Sequence, residues 1–279
     1  MEPLSHRTRI SFLFILVALF AIILPFSALY ASGYRFKNFT LVETGGVYIS
    51  APTSDVAITI NGEPVGVTSL FNKTFYINNL VPGSYVVQAS LDGHYPWAKI
   101  LTVEPRIVTD VSAFIVPQTL SVLELKVGTT TSATVVGVSA LTLAEFKDAF
   151  RLPTTTPEVS ATSTPTDARD GMDLFVENGE VFIRWARDAS STPSLFCLHP
   201  SSCESELKIK KGKESAISAV FFGAGVLYRI NSGIYYSEIE SRPTPLTVPV
   251  YLRRGADFRV FDGRLIVKDG ASFFEVTGF

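Results

Sequence analysis

The sequence predicts a mainly β protein behind one N-terminal transmembrane helix: a small antiparallel β-sandwich, then a C-terminal β domain of blade-like meanders. Three observations predict it. The run Ile10–Ala31 carries no charge. The remainder is rich in Val, Ile, Thr, Tyr and Phe, types that suit a half-buried pleated surface. Gly-containing turn pairs recur between short apolar runs.

At a rise of about 1.5 Å per residue, residues 10–31 reach roughly 33 Å as a helix, enough to cross a bilayer core. Hydrocarbon offers backbone N–H and C=O groups no partner, so a helix is the conformation that satisfies them all. The expectation is a single-pass cell-membrane protein, with residues 1–9 as a cytoplasmic tail and the body extracytoplasmic. A second reading is a cleaved signal peptide. Arg7 and Arg9 would be its basic region, Ile10–Leu24 its apolar region and Ala31-Ser32-Gly33 its cleavage site. The run is longer than the apolar region of most signal peptides, which favours the anchor. Both readings export the body. The charge bias is weak, with Arg7 and Arg9 before the helix and Arg35 and Lys37 after it.

The chain is 47% hydrophobic with 21 Phe and 10 Tyr, enough to bury a core. A net charge of −2 leaves no basic surplus to draw nucleic acid.

Residues 32–42 form a juxtamembrane stretch. Tyr30, Tyr34 and Phe36 suit the headgroup level, with Arg35 and Lys37 reaching phosphates; a plain spacer is the other reading. Asn38-Phe39-Thr40 and Asn72-Lys73-Thr74 match the N-glycosylation acceptor pattern. Short strands are expected at 47–50, 56–60, 74–77, 98–103 and 108–116. Asn61-Gly62, which accepts positive φ at both centres, predicts a hairpin turn. From Tyr85 the chain alternates, with Tyr85, Val87, Ala89 and Leu91 on one face, and Asp92-Gly93 turns it again.

These residues carry a resemblance. Ser50-Ala51-Pro52, the run Asn61-Gly62-Glu63-Pro64-Val65-Gly66-Val67-Thr68, Leu80-Val81-Pro82-Gly83-Ser84-Tyr85 and Gly93-His94-Tyr95 make residues 45–116 similar to a PEGA domain. Ser69 departs from the Pro usual there, and His94 splits the usual Gly-Tyr pair. The resemblance implies a small β-sandwich of a surface or envelope protein, a binding or structural module near a membrane anchor, and no catalytic residues.

Residues 117–152 are expected as strands and a short helix packed on the β body: strands at 120–127 and 134–138, then a capping-box spacing, Thr142 to Glu145, ahead of Phe146 and Phe150. Residues 153–169, PTTTPEVSATSTPTDAR, have no apolar side chain larger than Val and read as an extended linker or a long loop. The C-terminal β domain is placed at 170–279. Its strands at 174–176, 181–185, 217–222, 226–230, 234–239, 258–261, 265–267 and 273–276 are separated by Asn178-Gly179, Asn231-Ser232-Gly233, Asp262-Gly263 and Asp269-Gly270. That length holds two or three propeller-like blades, or a piece that stacks on residues 120–138.

Cys197 and Cys203 are the two cysteines. Six positions apart in a Pro/Ser loop of an exported body, they read as a disulfide; free thiols are the alternative, and a metal would need ligands beyond His199. Lys208, Lys210, Lys211 and Lys213 read as a solvated turn or as an attractor of anionic polymer or lipid. Tyr95 and Trp97, beside His94, are candidate ligand-contact aromatics that could stack on sugar rings; the competing reading makes them plugs of the sandwich end. Gly223-Ala224-Gly225 lacks the third glycine of a dinucleotide loop and reads as a turn. No nucleophile-elbow, zinc-protease or phosphate-loop pattern is present, and no residue set indicates a cofactor, a metal or catalysis.

The sequence therefore reads as a membrane-anchored binding or scaffolding protein of the cell envelope, non-enzymatic, with the membrane as one partner through residues 10–31 and cell-wall glycan or envelope proteins as others. The alternative is an exported enzyme acting on envelope glycan or peptide. A sensor is a third reading, weakened by the short tail.

Overall fold

The computed structural model describes residues 6–37, 40–125, 150, 165–209 and 213–279. The strand expected at 134–138, the helix after Thr142 and most of the stretch 153–169 lie outside these. Helix α1 (His6–Ala31) is the one helix among the described residues long and apolar enough to cross a membrane. Pro25 sits within it. It ends where Gly33 takes φ +84°, a left-handed value that costs glycine little. Strands β1 (Tyr34–Lys37) and β2 (Thr40–Glu43) then pair as a two-stranded sheet of their own.

The sandwich follows. Its strands are β3 (Gly45–Ser50), β4 (Ala57–Ile60), β5 (Glu63–Val67), β6 (Thr74–Leu80), β7 (Gly83–Ser90), β8 (Trp97–Val103) and β9 (Val108–Ser112). They form two sheets, ordered β6-β3-β9 and β5-β4-β7-β8. Asn61 and Gly62 take φ +50° and +82°, so the β4–β5 hairpin has the primed turn its dipeptide predicts. One pairing corrects the wholly antiparallel expectation: β3 and β9 run parallel. The turn at 104–107 carries the chain from the end of β8 into the other sheet, where β9 lies along β3. Alternation sends Val87 and Ala89 of β7 inward against Val47, Ile49, Ile58 and Leu101. Burying each Val, Ile or Leu of this set contributes roughly 1.5–3 kcal/mol.

The C-terminal half is three four-stranded antiparallel meanders. The chain first lays down β10 (Ser121–Glu124). The first meander is β11 (Asp167–Arg169), β12 (Met172–Glu177), β13 (Glu180–Trp185) and β16 (Glu206–Lys208), with the small hairpin β14 (Cys197–His199) and β15 (Ser202–Cys203) inserted before its last strand. β11 thus occupies the end of the Thr/Ser/Pro stretch. The second is β17 (Ser218–Phe222), β18 (Gly225–Ile230), β19 (Gly233–Glu238) and β20 (Thr247–Tyr251). The third has three strands of its own, β21 (Asp257–Phe261), β22 (Arg264–Asp269) and β23 (Ser272–Thr277), and takes β10 as its fourth. That pairing covers an edge of β23 that would otherwise present unpaired backbone groups.

Two large apolar cores and a small one around Leu125 and Ile266 run through the described residues. Leu174, Ile183 and Phe196 of the first meander pack with Phe221, Val226 and Tyr228 of the second. Leu227, Ile234 and Val248 of the second and Leu265 and Val267 of the third share one core with Val47, Ile49 and Trp97 of the sandwich.

Candidate interaction surface

β8 is the edge of one sandwich sheet and β9 the edge of the other, so the sandwich is open along that side. Alternation turns Trp97, Lys99, Leu101 and Val103 into the opening. A lysine there has to bring its charge into the core, and the end of β19 and the β19–β20 loop supply its partners. Lys99 Nζ lies 2.6 Å from Glu238 Oε2 and donates to the carbonyls of Glu240 (2.8 Å) and Thr244 (2.9 Å), which uses all three ammonium protons. Glu238 also accepts from Trp97 Nε1 (2.7 Å) and from the Leu246 N–H (2.9 Å). Burial pushes the Glu238 carboxyl above its ordinary range; the Lys99 charge and these hydrogen bonds pull the other way without cancelling it. Arg242 grips Glu240 through Nε (2.7 Å) and Nη2 (2.6 Å) and donates to the carbonyl of Asp110 on β9 (2.9 Å). Every charged group here has its partners inside the protein. The cluster is a lock between sandwich and second meander.

Trp97 is therefore inside the molecule and presents no ring face to solvent. Tyr95 packs half-buried at the rim of the same core, its N–H donated to the carbonyl of Val116. His94 Nδ1 lies 2.8 Å from the carbonyl of Asp92.

Cys197 and Cys203 form a disulfide, closing the β14–β15 hairpin. The hairpin reaches across to the sandwich, where Ser201 Oγ donates to Glu104 Oε1 (2.9 Å) in the β8–β9 turn. The open side of the sandwich is thus met twice, by this hairpin and by the β19–β20 loop. Among the described residues no group of three or more His, Cys, Asp or Glu could hold a metal ion. Of the basic run, Lys208 pairs with Glu180 (3.3 Å), and Lys210 and Lys211 lie outside the described residues.

The surface that sequence reasoning passed over is the β5–β6 turn. Ser69 N–H donates to the Asn72 carbonyl (2.8 Å), Asn72 N–H to Ser69 Oγ (3.1 Å) and Thr74 N–H to Asn72 Oδ1 (3.2 Å). This tight, self-bonded turn holds Leu70 and Phe71 outward, Phe71 with its whole side chain in solvent. Val67 and Tyr76 are exposed beside them. Thr74 pairs with Ser50, the far end of β3 from Gly45, so the knuckle stands at the end of the sandwich away from α1. An apolar pair between polar turn residues was the sequence signal. Turns lack the periodicity by which apolar residues are usually read.

No protein-family model matches this chain, and no curated protein matches it in sequence.

Proposed function

We propose that this chain is a membrane-anchored extracytoplasmic binding or scaffolding protein of the cell envelope, in which a PEGA-like sandwich displays a docking knuckle and no reaction is catalysed. The Leu70–Phe71 pair, fixed outward by a self-bonded turn, carries the reading. Large apolar side chains in water gain by being covered, and a turn already ordered loses little entropy when it docks. The disulfide and α1 support an exported, anchored body. A Leu beside a Phe suits a protein surface better than the hydroxyl-rich face of a glycan. The experiment places a photo-cross-linking amino acid at residue 70, beside Phe71, in the full chain in native membranes. A discrete adduct with an envelope protein is expected, and Phe71→Ser should abolish its recovery while shifting unfolding by less than about 0.5 kcal/mol, as for other exposed positions. No adduct, or an adduct with glycan only, overturns the assignment of the knuckle to a protein partner.

A further inference from the structure

We infer that the β1–β2 hairpin is a second membrane element, lying in the bilayer interface beside the end of α1 and fixing the attitude of the body; the inference rests on α1 remaining in the membrane. Register divides the hairpin into two faces. Tyr34 and Glu43 share one face with Phe36 and Leu41; Arg35 and Val42 lie on the other. The Tyr34 hydroxyl donates to Glu43 Oε1 (2.5 Å), which leaves Phe36 and Leu41 as the open part of their face, 71% and 48% exposed. Among the described residues the hairpin joins no other sheet.

Position says what covers that pair. Arg35, on the opposite face, donates from Nη1 to the carbonyl of Tyr30 (2.8 Å), and its guanidinium lies 3.5 Å over the Tyr30 ring. Tyr30 belongs to the last turn of α1, so Arg35 holds β1 at the depth where a spanning helix leaves hydrocarbon. Phe36 and Leu41 then face away from the helix, toward lipid. The hairpin is also braced at its base. Thr44 donates its N–H (2.8 Å) and its Oγ1 (2.7 Å) to the carbonyl of Gly33, and the Arg106 N–H reaches the Thr44 carbonyl (2.9 Å). Arg106 Nε lies 3.6 Å from Glu43 Oε2. A plain spacer would let the sandwich swing; this junction ties helix end, hairpin and the β8–β9 turn together. At about 3.4 Å per residue, the four-residue strands keep the hairpin within roughly 14 Å of that junction. The chemistry recognised is that of the interface, where apolar rings and aliphatic chains sit among the upper acyl carbons.

The test uses the full chain in proteoliposomes of phosphatidylcholine brominated either near the headgroup or near the acyl terminus. Phe36→Trp and Phe20→Trp each add one indole, and subtracting the wild-type protein removes the emission of Trp97 and Trp185. Both positions are exposed, so folding is preserved; far-ultraviolet circular dichroism checks it. The added emission of Phe20→Trp should be lost mainly to the lipid brominated near the acyl terminus, and that of Phe36→Trp mainly to the lipid brominated near the headgroup, with little quenching by aqueous acrylamide. If Phe20→Trp is quenched by lipid while Phe36→Trp is quenched only by acrylamide, the hairpin stands in water and the inference fails alone. If neither responds to lipid, the anchor reading fails and takes the inference with it.

Discussion

Lys99 and Arg184 are both cations held by two glutamate-bearing segments, in opposite circumstances. Lys99 is 1% exposed, and its partners Glu238 and Glu240 come from the other half of the chain. Arg184 is 34% exposed on the outer face of the first meander; its partners Glu177 and Glu206 stand on neighbouring strands of the same sheet. A buried pair loses its water on folding, and its attraction acts through a medium of low dielectric. An exposed pair keeps water and is screened by salt. Removing one member therefore costs far more inside than outside. The inner pair also joins two regions, whereas the outer one decorates a single sheet. Position, rather than the number of ion pairs, decides what each contributes.

The largest expected effect follows from that contrast. Lys99→Met should leave the Glu238 carboxylate buried beside Trp97 with no countercharge, at a cost of about 3–5 kcal/mol. Guanidinium unfolding of the full chain in detergent reads it. Combining Lys99→Met with Glu238→Gln removes both charges and should recover a good part of the loss, because Trp97 Nε1 keeps an acceptor. A single variant that loses less than about 1 kcal/mol would mean water reaches the pair, and the contrast with Arg184 would dissolve.

A smaller effect sharpens the comparison by pH. The Glu238 carboxyl is raised above 4.5, chiefly by burial, with the Lys99 charge only partly opposing this. The folded state then holds this proton more tightly than the unfolded chain does. Its contribution is fully present below the ordinary carboxylate range and declines as pH rises through the folded-state value. The stability of the wild-type protein relative to Glu238→Gln should therefore be greater at pH 4 than at pH 7. Urea titrations of both proteins at the two pH values check it. An advantage that grows toward pH 7 would show the Lys99 charge outweighing burial.

Much of the framework was legible in the chain. The uncharged run named α1, and Asn61-Gly62, Asn178-Gly179 and Asp262-Gly263 named hairpins whose turns take positive φ at both residues. What escaped was non-local or short. β10 pairs with β23 across most of the body, and no local pattern of Ser121–Glu124 points to Ser272–Thr277. β16 has three residues, and β20 carries Pro249, which demotes a strand by pattern alone. The disulfide was readable from spacing. Lys99 stood in plain view at an inward position of an alternating strand, a signal of a buried charge. Its partner Glu238, however, ends β19 in the other half of the chain, which only the tertiary fold brings to it. Sequence left Trp97 between a stacking ring and a plug of the sandwich end, because the residues that cover it come from the other half of the chain.

The smallest effect belongs to the outer cluster. Arg184 donates to Glu177 through Nη1 (2.9 Å) and Nη2 (3.1 Å) and to Glu206 through Nε (2.5 Å), and its guanidinium lies 4.4 Å over the Phe175 ring. The geometry is good and the fork is used twice, yet both carboxylates keep solvent. Arg184→Ala should cost less than about 1 kcal/mol, and part of that should survive high salt because the guanidinium also covers Phe175. Unfolding in urea with and without added sodium chloride separates the two parts, since urea leaves ionic strength to be set independently. Arg184→Met should restore the covering of Phe175 and leave only the salt-sensitive part missing. If Arg184→Ala instead costs as much as Lys99→Met, the outer face of the first meander is buried in the working protein, and a partner or a second copy covers it.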